Sequence, residues 1–66
     1  MTKEEFKRAV KAQLPDSSSG DYKDLAATIC RVAQEVAWIE NCGNLIRDMP
    51  DGLNCPRAFL DWWSSL

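Results

Sequence analysis

Between residues 25 and 39 the side chains Leu25, Ile29, Val32, Val36 and Ile39 recur at intervals of 4, 3, 4 and 3. Only an α-helix gathers such a spacing onto one face. The alternation is that of a coiled-coil seam. Two heptads are too few to specify a coiled coil, however, so the interior of a helical bundle is expected. Ala26, Cys30, Ala33 and Ala37 line the edge of the stripe with small side chains that let a neighbouring helix approach closely. Lys23, Arg31, Gln34, Glu35 and Glu40 mark the opposite, solvated face. Asp21 is placed to cap the start of this helix. Its end has two readings. Asn41-Cys42-Gly43-Asn44 forms a stop with Gly43 in the left-handed conformation, whereas Ile46 and Met49 resume the stripe as far as Pro50. The resulting helix of about 20 to 25 residues would extend some 30–38 Å.

Two shorter helices flank it. Thr2 and Glu5 have the spacing of a capping box. Phe6, Ala9 and Val10, with Gln13 or Leu14, then follow one helical face until Pro15 stops it. Asp16-Ser17-Ser18-Ser19-Gly20 is a polar loop. Near the end of the sequence Asn54 is a candidate N-cap and Pro56 suits a first helical turn. Phe59, Trp62, Trp63 and Leu66 repeat at i, i+3, i+4 and i+7, with Leu60 beside them. No segment alternates with the period of a strand. The expected fold is all-α, a single small three-helix bundle with a short N-terminal helix, a long central one and a short aromatic C-terminal one.

Length limits what else the chain can be. Its 66 residues allow one domain, because separate cores need nearer a hundred residues each. Leu, Ile, Val and Phe make up 14 of the 66 residues, and the net charge is only −2; together these place the chain just outside the disordered class. No apolar run approaches the roughly 20 residues that span a bilayer. Lys3, Glu4, Glu5, Lys7 and Arg8 stand where a secretory signal would be hydrophobic. A cytoplasmic, reducing location is therefore expected. Three cysteines, none in a C-x-x-C pair, agree with free thiols used as small apolar residues. Of these, Cys42 is expected to be the most exposed, beside Gly43 at a helix end.

So small a core leaves apolar surface uncovered unless packing is unusually good or another chain covers it. Self-association as a twofold homodimer is expected, with the long helix or the aromatic tail at the seam.

The function classes narrow by elimination. With no histidine, the commonest general base and metal ligand are missing, and neither the serine run nor Cys42 and Cys55 has an activating partner. Asp48 and Asp51 read as loop carboxylates. No enzyme, metal or cofactor is expected. A helix-turn-helix fails as well, since a recognition helix from Asn44 would offer only Arg47 among Asp48 and Asp51 and break at Pro50. Lys7, Arg8 and Lys11, with Lys3, form a modest basic face that could contact an anion, but eight of the ten acidic residues lie beyond residue 14, and nucleic-acid binding is the weaker reading. A structural assembly subunit is another alternative. The leading expectation is a small regulator, adaptor or inhibitor that binds proteins through apolar helical contacts, with Trp38, Phe59, Trp62, Trp63 and Leu66 as the interface candidates. Adjacent Trp62 and Trp63 point about 100° apart on a helix, so at least one is expected to pack into the core while the other meets a partner.

Overall fold

A computed structural model describes residues 1–14 and 21–66. The order is α1 (Lys3–Gln13), α2 (Tyr22–Ile39), a 3₁₀ turn (Gly43–Ile46) and α3 (Pro56–Ser64), with no strand among the described residues. The chain is all-helical and bundle-like. Pro15 and the Asp16–Gly20 connector lie outside the described residues.

α1 begins as its sequence implies: Thr2 Oγ1 accepts the backbone N–H of Glu5 at 3.2 Å, satisfying one of the free donors of the first turn. The helix ends at Gln13, with Leu14 in extended backbone before Pro15, the conformation that a following proline favours. Asp21 caps α2 by accepting from the Lys23 N–H at 3.3 Å.

The end of α2 corrects both readings of the sequence. The helix stops at Ile39, and Asn41, not Gly43, adopts the left-handed conformation with φ 54°. The Cys42 N–H donates to the Ala37 carbonyl at 2.9 Å and the Asn41 N–H to the Trp38 carbonyl at 3.3 Å. This pair of bonds is a Schellman cap, which serves carbonyls that the last turn leaves unpaired. Cys42 is the residue just past the cap, and it is buried in the same core as Ala37. The thiol expected to be exposed therefore lies inside. Cys55 is the exposed one, and all three thiols are free. Gly43 has no positive φ and opens the 3₁₀ turn.

The entry to α3 differs too. Cys55 occupies the N-cap position and Pro56 the first turn. Asn54 instead donates from Nδ2 to Asp51 Oδ2 at 2.6 Å, while Asp51 Oδ1 accepts the Leu53 N–H at 2.9 Å. The Leu53 hydrogen bond holds the Asp51 carboxyl below its ordinary value of 3.8, against an opposing effect of desolvation and with lesser help from Asn54.

α2 is the centre of the molecule, packed by α1, α3 and the 3₁₀ turn. Its buried face is Ala26, Ile29, Cys30, Ala33, Val36 and Ala37. That face is rotated from the stripe read in the sequence: the small residues expected at the edge form the middle of the contact, while Leu25 and Ile39 are 50% and 59% exposed. The cause is close approach. Gly52 is buried against α2, and a β-carbon there would lie 2.7 Å from both the Ala26 carbonyl oxygen and Cys30 Cβ. Only small side chains on α2 admit that backbone. Phe6 and Val10 of α1 and Phe59 of α3 are fully enclosed by the same core. The short helices thus bury their principal apolar residues within one copy, which removes much of the shortage that made association look obligatory.

Candidate protein-binding surface

The five aromatic and aliphatic residues expected at an interface divide among three environments, buried, half-buried and exposed. Phe59 is fully buried and Trp63 is 8% exposed, so both belong to the core and neither offers a docking surface. On a helix, residues 59 and 63 share a face one turn apart; that face is the one turned to α2. Trp62 and Leu66 are half-buried against the same core. The Trp62 ring lies 5.6 Å from that of Phe59 at a tilted angle of 41°, within the range of favourable aromatic pairs.

Trp38 stands apart from all of these. It is 82% exposed, the most exposed large apolar side chain described. Its position on α2 is one turn or two from Arg31, Gln34 and Glu35, all exposed, so its indole projects from the polar face of the helix. The aromatic tail does not cover it. Beside it Ile39 carries the apolar surface toward the helix end, and Leu25 exposes half of its side chain more than three helical turns away in the other direction. Leu53, in the turn before α3, is 68% exposed. The surface role of Leu25, Ile39 and Leu53 was not legible in the sequence. The visible signal lay in Ala26, Cys30, Ala33 and Ala37: once a row of small residues takes the core contact, the bulky positions beside it must turn outward.

The basic face of α1 is divided. Lys7 is half-buried, with Nζ 5.3 Å from the centroid of the Trp63 ring, a cation–π distance. Its aliphatic stem thus covers the edge of the core while the ammonium is occupied by the indole. Arg8 and Lys11 remain exposed. A second cation–π contact sets Arg57 5.8 Å over the ring of Tyr22, beside a shallow open notch lined by Tyr22, Arg57, Leu60 and Asp61. Among the described residues no group of three or more Cys, Asp or Glu could hold a metal ion, and no helix is long and apolar enough to cross a membrane.

No protein-family model matches this sequence, and no curated protein or solved structure does either.

Proposed function

We propose that the protein is a small non-catalytic binding module, a cytoplasmic regulator, adaptor or inhibitor, that docks on a protein partner through the outward face of α2 with Trp38 as its anchor. The observation that carries this reading is the exposure of the Trp38 indole on a helix whose opposite face already supplies the core. Folding gains little from an indole held in water, since stabilisation follows the apolar area removed from it. Tryptophan is also among the residues most enriched in the energetic centres of protein interfaces, where polar neighbours form a rim. Arg31, Gln34 and Glu35 are placed to form that rim, and their charges would steer the partner and set its orientation.

The test is affinity capture from the native cell with wild-type protein and the Trp38→Ala variant in parallel, with circular dichroism on both. A specific partner retained by the wild type and lost by Trp38→Ala, at equal helicity, supports the reading. A partner held equally by both forms removes Trp38 from the interface and overturns it.

A further inference from the structure

We infer that a second copy of this chain packs antiparallel along the Leu25–Val32–Ile39 stripe of α2, about a twofold axis at Val32. This goes beyond the Trp38 reading: it uses the neighbouring apolar row of the helix and shares Arg31 and Glu35 with the surface around Trp38. Positions seven apart drift by only about 20° around a helix, so Leu25, Val32 and Ile39 form one nearly straight row along its length. Leu25 and Ile39 are 50% and 59% exposed, and Val32 is half-buried between them. The row is symmetric: an apolar residue stands seven positions to either side of Val32. An isologous contact needs a patch that complements itself after rotation. With Val32 on the axis, Leu25 of each copy lies level with Ile39 of the other.

The polar flank selects the antiparallel arrangement. Thr28, Glu35 and Arg31 all lie on one side of the stripe, and all three are at least partly accessible. In an antiparallel pair like flanks face each other, and Glu35 of the second copy comes level with residue 29, between Thr28 and Arg31 of the first. The carboxylate thereby meets a hydroxyl and a guanidinium, and symmetry repeats the contact. A parallel pair would instead turn the Glu35 of one copy away from the Arg31 of the other, toward the side on which Ile29 and Val36 are buried in the core, and would lose that contact. At 18 residues, α2 is about 27 Å long, and one helix face of that length buries an area at the weak end of specific interfaces. The dimer is accordingly one that dissociates on dilution.

Sedimentation equilibrium on the pure 66-residue chain at up to about 200 µM, a range suited to small interfaces, reads the association directly. Arg31→Glu and Glu35→Arg each create two like-charge contacts, so each is expected to weaken the dimer about tenfold, and the double exchange to restore it. The register is read by oxidative cross-linking in a Cys55→Ser background. Val32→Cys forms a disulfide with its own copy. Leu25→Cys and Ile39→Cys form one only when mixed, because each stands about 21 Å along the axis from its counterpart. A monomer throughout the range, self-cross-linking of Leu25→Cys, or no rescue by the double exchange overturns the proposal. The mass of pure protein and the capture of another protein through Trp38 are separate readouts, so either reading can fail alone.

Discussion

Gly52 lies so close to α2 that a β-carbon on it would stand 2.7 Å from the carbonyl oxygen of Ala26. The neighbour is backbone and cannot yield by a rotamer change, so Gly52→Ala must push the loop and α2 apart. Overpacking of this kind costs about 1–3 kcal/mol. Gly43→Ala is the control, because nothing lies within 4 Å of a β-carbon there and its φ is not positive. Urea denaturation of the two variants should separate them by more than about 1 kcal/mol, with Gly43→Ala near the wild type.

Asn41 holds the left-handed position of the cap that ends α2. Glycine meets no steric penalty in that region, whereas a residue with a β-carbon and no local hydrogen-bonding group costs about 1–2 kcal/mol. Asn41→Gly should therefore stabilise the chain by some tenths of a kcal/mol, and Asn41→Ala should destabilise it by about 1 kcal/mol. Midpoints of thermal unfolding that rank Gly above Asn above Ala would bear this out.

These two positions also show where sequence reasoning stops. The starts of α1 and α2 were legible because Thr2 and Asp21 act through neighbours two or three residues away. The existence of three helices followed from periodicity. Which face of α2 turns inward did not, because periodicity ranks large apolar side chains first. The face was decided by the arrival of Gly52, 26 residues after Ala26, and a long-range backbone contact leaves no periodic trace. The same holds for Asn54, which looks like a cap until Asp51 claims its amide. At the candidate surface, Trp38 was legible as an off-stripe aromatic residue, whereas the burial of Phe59 and Trp63 required knowing that α3 lies on α2.

Trp63 and Trp38 should respond differently to truncation. Trp63→Ala empties a core position and should cost about 3–5 kcal/mol, enough to unfold much of so small a domain. Trp38→Ala removes a side chain that stands in solvent and should lie within about 0.5 kcal/mol of the wild type. Chemical denaturation followed by circular dichroism measures both, and equal losses would contradict the burial assigned to them.

Asp51 makes part of the stability dependent on pH. Its carboxyl is held below the ordinary value mainly by the Leu53 N–H. A lowered folded-state value means that the contribution is complete above the unfolded value and is lost as pH falls through the folded one. Acid titration of the unfolding midpoint should thus show a decline below about pH 4 that is shallower in Asp51→Ala. Identical slopes would remove the turn as its source.

The most direct measurement is the parallel capture with wild-type protein and Trp38→Ala at matched helicity. If the outward face of α2 is the docking surface, a discrete protein partner is retained by the wild type and absent from the variant. The same partner recovered in equal amount with Trp38→Ala would contradict it, and the binding role of this helix face would fall with it.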